Sequence, residues 1–430
     1  MKNIPKYSNY KDSEIDWLKK IPSHWDLIRL GSEFDERREK VSDKDFEALS
    51  VTKKGIVPQL ENAAKSNDGD NRKGVRKGDF VINSRSDRKG SSGIAIQDGS
   101  VSLINIVLKP KSIFPKYSEY LLKSYHFIEE YYRYGHGIVA DLWTTRYSEM
   151  KAMPIPLPPL SEQTAIANFL DKKTAEIKEF IALKEKTIEL LKERKMAIIN
   201  ELVTGKKVWN GTEWTAPTEV KDSGIEWLGK IPKDWEVKKL KYVSKIIYGI
   251  SPHESTYNIE GKGKILINGP AEYSVENFGY TRAIKWTTLP VKFARKGDLL
   301  FCLRGSTTGR LNICHDDVAI GRGCAALRGE IDQDFFILAI YSLKEKIIET
   351  FKGSTFPSVT SEDLNNYSIA FCSEVKMKKI VKKANEINIE IDDLISKTQT
   401  EINLIKEYQQ SLISEVVTGK VDLRNKIISE

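Results

Sequence analysis

Residues 15–25 read I-D-W-L-K-K-I-P-S-H-W, and residues 225–235 read I-E-W-L-G-K-I-P-K-D-W. A repeat of this kind constrains the fold more than any single motif, because two copies of one sequence are expected to build two copies of one local structure. The match extends to Lys11, Asp12 and Ser13 against Lys221, Asp222 and Ser223, and onward to Leu30 against Leu240. A second pair is V-R-K-G-D-F-V-I-N-S-R (Val75 to Arg85) and A-R-K-G-D-L-L-F-C-L-R (Ala294 to Arg304), in which a basic turn carrying Gly78 or Gly297 leads into an apolar run of strand length. A third pair is E-L-V-T-G-K (Glu201 to Lys206) and E-V-V-T-G-K (Glu415 to Lys420). The offset changes from 210 to 219 to 214 along the chain. Insertions and deletions in loops between retained elements produce that pattern, as in a diverged duplication.

The third pair closes two long helical patterns. From about Ser161 to Thr204 the residues Leu170, Ile177, Ile181, Ile188, Leu191, Ile198 and Leu202 step by threes, fours and sevens, with Lys and Glu between them. A shift of 214 gives the same seam as Ile391, Ile395, Ile402, Ile405, Leu412 and Val416. Ser161 before Glu162 and Ser373 before Glu374 read as N-cap signals, and Gly205 and Gly419 as residues just past the helix ends. Each helix is expected to run about 40 residues, ~60 Å. A long helix with one narrow apolar face needs a partner, and its own repeat is the obvious one. Lys184 and Lys195 interrupt the first seam at the positions of Thr398 and Gln409 in the second, and such polar breaks set register.

The expected fold class is therefore α+β: two similar mixed α/β domains separated by two long antiparallel helices, a coiled-coil-like spacer, with an internal pseudo-twofold repeat. The expected boundaries are a first mixed domain over 1–158, a first spacer helix over 159–206, a linker over 207–224, a second mixed domain over 225–371, a second spacer helix over 372–420 and a tail over 421–430.

Composition narrows the function. The chain has 430 residues and a net charge of +8 from 68 basic and 60 acidic side chains, a modest excess compatible with a polyanionic partner. No apolar run approaches the roughly 18 residues of a membrane span, and the start M-K-N-I-P-K-Y-S-N-Y has no apolar segment, so a cytoplasmic protein without a membrane partner is expected. Cys302, Cys314, Cys324 and Cys372 lack metal-site spacing and read as buried free thiols. Phosphate-loop, dinucleotide and H-E-x-x-H motifs are missing, and the five histidines are scattered. No catalytic residue or metal ligand is assigned, and the chain is expected not to be an enzyme.

A rigid spacer with a basic mixed domain at each end suits duplex DNA, where sites facing the same way lie about one turn, roughly 34 Å, or multiples apart. Diverged domains would read different sequences, so the site would be bipartite and asymmetric. The chain resembles the specificity subunit of type I restriction-modification systems. The resemblance is carried by the two W-L-x-x-I-P-x-x-W segments, by P-I-P-L-P-P-L-S-E-Q (Pro154 to Gln163) before the first helix and by the two T-G-K helix ends, and it covers essentially the whole chain. It implies that the mixed domains are target-recognition domains, and that the chain is a non-catalytic DNA-reading subunit of a methyltransferase/endonuclease complex. It also implies two methylation subunits and, where a system carries them, two restriction subunits. S-adenosylmethionine, ATP and Mg would belong to those partners, leaving no cofactor in this chain. The alternative is a non-catalytic scaffold holding two protein-binding domains at fixed separation. One departure from the family pattern is that the second helix is approached by N-N-Y-S-I-A-F-C-S-E (Asn365 to Glu374), without the prolines and without the E-Q pair, so an altered junction is expected there.

Base reading needs donors and acceptors on loops, and phosphate contacts need Lys, Arg or small hydroxyls. The loops R-S-D-R-K-G-S-S-G (Arg85 to Gly93) and R-G-S-T-T-G-R (Arg304 to Arg310) follow the twin strands at the same place in the repeat. They supply Arg85, Arg88, Lys89, Ser91 and Ser92 in one copy and Arg304, Ser306, Thr307, Thr308 and Arg310 in the other as candidate DNA contacts. Arg85 and Arg304 could fork onto guanine or a phosphate. The stretch N-D-G-D-N-R-K-G (Asn67 to Gly74) adds Arg72 and Lys73. The aromatic run Tyr125 to Tyr134 reads as core packing, the segments Gly135 to Trp143 and Gly353 to Val359 as structural with a DNA contact left open, and the twin tryptophans as a packing clamp with a proline-set turn, off the DNA list.

Overall fold

The computed structural model describes residues 5–59, 69–137, 143–274, 278–305, 307–349 and 358–424. The chain divides into two compact units, Met1–Glu185 with Gln399–Glu430 and Lys186–Thr398. The helices run over Leu160–Val203 and Glu374–Val417, 44 residues each. Each contributes to both units, so the division cuts across the expected helical segments. In the first unit Leu170 and Ile177 of the first helix share a core with Leu412 and Val416 of the second. In the second unit Ile199 and Leu202 share one with Ile387 and Ile391. Start meets end in both, the antiparallel pairing expected of two seams that each lack a partner alone. The polar breaks fall across these pairs: Lys184 Nζ lies 2.7 Å from Glu401 and Lys195 Nζ 2.9 Å from Asp392.

Within the first unit an antiparallel sheet has the order Ser92–Ile94, Phe80–Asn83, Asn105–Pro110, Phe34–Glu36, with Val81 opposite Val107 and Leu108 opposite Glu36. A smaller sheet of Gly99–Val101, Arg72–Val75 and Lys40–Val41 carries the next strands. Helices Pro115–Leu122 and Tyr125–Arg133 cover the first sheet. They bury Tyr117, Leu121, Phe127 and Tyr131 with Phe34, Phe80 and Leu108. The aromatic run is thus core, and Ser124 caps it by accepting from Phe127 N.

The second unit repeats that sheet. Its order is Leu311–Ile313, Leu299–Cys302, Cys324–Gly329, Ser244–Tyr248, again antiparallel, and helix Gln333–Glu349 packs Phe336 and Ile340 against Leu299 and Leu327. The twin R-K-G-D turns match in atomic detail. Asp79 Oδ2 accepts from Arg76 N and Asp298 Oδ2 from Arg295 N, each at 2.8 Å, while Gly78 and Gly297 sit at φ +93° and +84°, where a side chain would be strained. Each buried carboxylate is also held by two hydrogen bonds from one guanidinium, Arg37 on Asp79 and Arg328 on Asp298. The arginine comes from a different strand region in each unit, so the repeat retained the ion pair while changing its donor.

The lead-in segments dock on the T-G-K helix ends, crosswise. Pro22 and Trp25 pack on Gly419 at the end of the second helix, and Pro232 and Trp235 on Gly205 at the end of the first. Leu18, Ile21, Trp25, Leu228, Ile231 and Trp235 are all at most 3% exposed, which makes the clamp a core element of each unit. Lys420 adds its ammonium to the carbonyls of Leu18 and Lys20.

Two expectations at the helix starts are corrected. The first helix begins at Leu160, with Glu162 N and Gln163 N bonding back to Pro159 O, so Ser161 lies inside the helix and is not its cap. Glu162 also does not correspond to Glu374. Gln163 and Met377 are each 3% exposed, and Ile166 and Ile380 stand at 1% and 2%, a register that places Lys376 where the first helix has Glu162. The two helices still begin at equivalent positions, Leu160 and Glu374, so the missing prolines change the approach to the second helix and not its start.

Candidate nucleic-acid interface

The first unit carries an open cleft of about 590 Å³ between the main sheet and the segment returning to the first helix. Arg38, Lys40, Lys73, Arg85 and Arg146 line it, with Glu36 as the acidic member. Arg38, Lys40, Arg85 and Arg146 are exposed. Glu36 spans two of the bases, receiving Arg38 Nε at 2.7 Å and Lys73 Nζ at 3.2 Å. At the back, Asn105 is 4% exposed and its Oδ1 has no hydrogen-bond partner, while its amide donates to Ser102 O. Five cations with a single carboxylate among them suit a polyanion.

The strands and loop position these groups. Arg85 stands two residues past the end of Phe80–Asn83, its amide accepted by Asn83 Oδ1, and its backbone bridges Thr144 on the returning segment. Arg304 stands in the same place after Leu299–Cys302 and bridges Ser358 on the corresponding return. Both arginines are exposed. The described ends of these two returns meet the candidate loops, with Trp143 O accepting from Ser86 N in one unit and Leu303 O accepting from Val359 N in the other, while 138–142 and 353–357 lie outside the described residues.

Several predicted contacts are corrected. Arg72 is 5% exposed, and its guanidinium donates to Ser100 Oγ and O at 2.8 and 3.0 Å, so it ties two strands together and does not reach a surface. Burial lowers its pKa from the ordinary arginine value. Ser91 and Ser92 are 6% and 0% exposed, turned inward where the loop re-enters the sheet. Lys89 points away from the cleft, its Nζ 2.6 Å from Glu129 and over the Tyr132 ring, in a second pocket with Trp17, His126 and Arg133. The second-loop candidates are not among these corrections: Arg310 donates to Ser274 O, Thr307 Oγ1 lies 3.6 Å from Cys302 Sγ and Thr308 Oγ1 donates to Gly305 O, and all three keep partial exposure. Ser306 lies outside the described residues, as do Asn67 and Asp68. Arg88 is exposed beside Asp87.

Arg85, Arg88 and Arg304 remain as exposed cations, and Lys73 lines the cleft with 15% of its side chain exposed. The sequence reading missed Arg38, Lys40 and Arg146. The first two lie in the basic run R-R-E-K at 37–40, which was a usable signal, whereas Arg146 joins the cleft only through the returning chain. The four cysteines are buried free thiols. Among the described residues no helix is long and apolar enough to cross a membrane, and no cluster of His, Cys, Asp and Glu has metal-site geometry.

Comparison with known proteins agrees with this architecture. The type I restriction modification DNA specificity domain family matches residues 22–192 and again 232–404. The putative type I restriction enzyme MjaX specificity subunit of Methanocaldococcus jannaschii is 28% identical, over 97% of this chain and 98% of its own. The EcoBI specificity subunit of Escherichia coli is 21% identical over 62% of this chain and 58% of its own. A subunit of a solved type I R-M system shares the fold with a TM-score of 0.68 at 20% identity, covering 93% of this chain and 99% of that one. The HsdS subunit of Thermoanaerobacter tengcongensis does so at 0.51 and 21% identity, covering 95% and 100%. Two copies of the family domain, on two units with one sheet order and one clamp, identify the chain as a member of the type I restriction-modification DNA specificity family, a specificity subunit with two target-recognition domains.

Proposed function

We propose that each mixed domain reads one half of an asymmetric bipartite duplex site through the loop begun by Arg85 or Arg304 and the surface beside it. The chain thereby directs methylation, and cleavage where restriction subunits are present, by partner subunits that carry S-adenosylmethionine, ATP and Mg. Two methylation subunits would bind, one for each copy of the repeat. The observation carrying this reading is that Arg85 and Arg304 share one backbone position, exposed and bridged to the returning chain, while the surrounding side chains have diverged. A common frame with different neighbours is what reading two different half-sites requires.

The test is an exchange. Residues 222–365 are replaced by the matching segment of a relative, and the methylated sequence is mapped in cells carrying the cognate methylation subunit. One half-site should change and the other persist. A change in both halves, or methylation without a bipartite motif in the parent, would overturn the proposal.

A further inference from the structure

In the first unit the buried indole of Trp25 donates to Glu162 Oε2 at 2.9 Å, and the same oxygen receives the Tyr7 hydroxyl at 2.9 Å. The other carboxylate oxygen lies 2.6 Å from His24 Nε2. A base on the lead-in segment thus faces an acid on the helix, and that acid satisfies the tryptophan. In the second unit the pair is reversed. Asp234 takes the position of His24, Lys376 that of Glu162, and the two meet at 2.5 Å. An ammonium has no acceptor to offer. Trp235, 1% exposed, accordingly has an indole N–H with no hydrogen-bond partner.

A pocket of about 70 Å³ lies against this tryptophan, lined by Val208, Trp209, Trp214, Trp235, Lys376 and Lys379 with Ile380 beneath. Trp209 and Trp214 face each other across the linker hairpin, ring centroids 5.9 Å apart, and form an apolar wall. Lys376 and Lys379 are exposed and one turn apart on the helix. With Asp234 neutralising one ammonium, the three groups carry a net charge of +1.

We propose that this pocket binds a carboxylate supplied from outside the chain, standing in for the one Glu162 supplies internally in the first unit. The carboxylate accepts the Trp235 N–H and faces the Lys379 ammonium. A buried donor without an acceptor costs free energy, and a charge-assisted hydrogen bond recovers it. The volume admits one carboxylate group and little more, so the bearer is a small free acid or an acidic side chain projecting from a partner.

The experiment follows the indole ¹⁵N–¹H signal of Trp235 in the full chain, assigned by its loss in Trp235→Phe. Sodium acetate is titrated against sodium chloride at equal ionic strength. The signal should move saturably with acetate, and Lys379→Met, a surface change, should weaken the response several-fold. The double variant Asp234→His with Lys376→Glu installs the first unit's own pair, and its Trp235 signal should be shifted from the outset and indifferent to acetate. A signal that moves no further with acetate than with chloride, or that responds equally in Lys379→Met, overturns the proposal. Loss of the acetate response when a methylation subunit is bound assigns the carboxylate to that subunit, and persistence assigns it to a free acid.

Discussion

A Cβ placed on Gly205 would stand 2.5 Å from Cδ of Pro232 and 3.3 Å from Cδ2 of Trp235. Gly419 holds the same relation to Pro22 and Trp25, and both glycines sit at φ +73°. These helix ends therefore require glycine twice over, for the left-handed backbone and for the approach of the clamp. Gly205→Ala and Gly419→Ala are each expected to destabilise their unit by about 2–4 kcal/mol, combining left-handed strain with overpacking. Urea unfolding followed by tryptophan fluorescence measures this. A loss no larger than that of an exposed mid-helix substitution would contradict the clamp.

Cleft cations and buried cations should separate by their salt dependence. Arg38→Ala, Arg85→Ala and Arg146→Ala are each expected to lower the slope of log affinity against log salt by about 0.9, the share of one phosphate contact, with the fold intact. Arg72→Met should leave the slope unchanged and cost about 1–3 kcal/mol of stability, because its hydrogen bonds to Ser100 hold two strands together. Fluorescence anisotropy on a duplex at several salt concentrations checks both. An Arg72→Met protein with parent stability and a reduced slope would return Arg72 to the interface.

The twin carboxylates of the R-K-G-D turns give a paired test. Asp79→Asn and Asp298→Asn each replace one of the two acceptor oxygens of a guanidinium contact by an NH2 donor and leave an arginine beside a neutral amide. The arginines retain 21% and 25% side-chain exposure, so water recovers part of the loss. A cost of about 1–3 kcal/mol is expected for each, below that of a fully buried broken pair. Arg328→Lys should restore charge but not the two-bond geometry and fall between parent and Asp298→Asn in thermal unfolding.

What was legible in the sequence was whatever the repeat wrote twice. Two W-L-x-x-I-P-x-x-W segments, two R-K-G-D turns and two T-G-K ends suffice for two units with one architecture, because each motif carries its own backbone demand. The loops were only half legible. Composition marked Arg85 to Gly93 as a polar surface stretch, yet the sheet turns Ser91 and Ser92 inward and Glu129 draws Lys89 to another face. Which side of a turn a residue faces depends on strands 20 or more positions away, and hydroxyls and lysines suit either side. The local cap signal at the second helix was misleading where the seam was not. Ser373-Glu374 imitates Ser161-Glu162, but the 214-residue shift of the seam pairs Lys376 with Glu162, and the buried pairs Gln163 with Met377 and Ile166 with Ile380 agree with it.

Buried thiols should make the protein sensitive to alkali. Burial pushes Cys324 and Cys372 up to about 12 from 9.0, and raises Cys314 as well. A thiol whose folded pKa lies above its unfolded value stays protonated in the native state while the unfolded chain has already released its proton. Its contribution is thus fully present below about pH 9 and is lost as pH rises toward 12. Between those limits each such group should reduce stability by about 1.4 kcal/mol per pH unit. Urea midpoints should hold near neutral pH and fall steeply between pH 9 and 11, with a shallower fall in Cys324→Ala once its lower neutral-pH stability is subtracted. The same protonation predicts that the thiols react with a disulfide reagent at pH 8 only as the chain opens, because the thiolate is the nucleophile. Rapid modification of Cys314, Cys324 and Cys372 in the folded protein would show that the second unit opens far more readily than its packing implies.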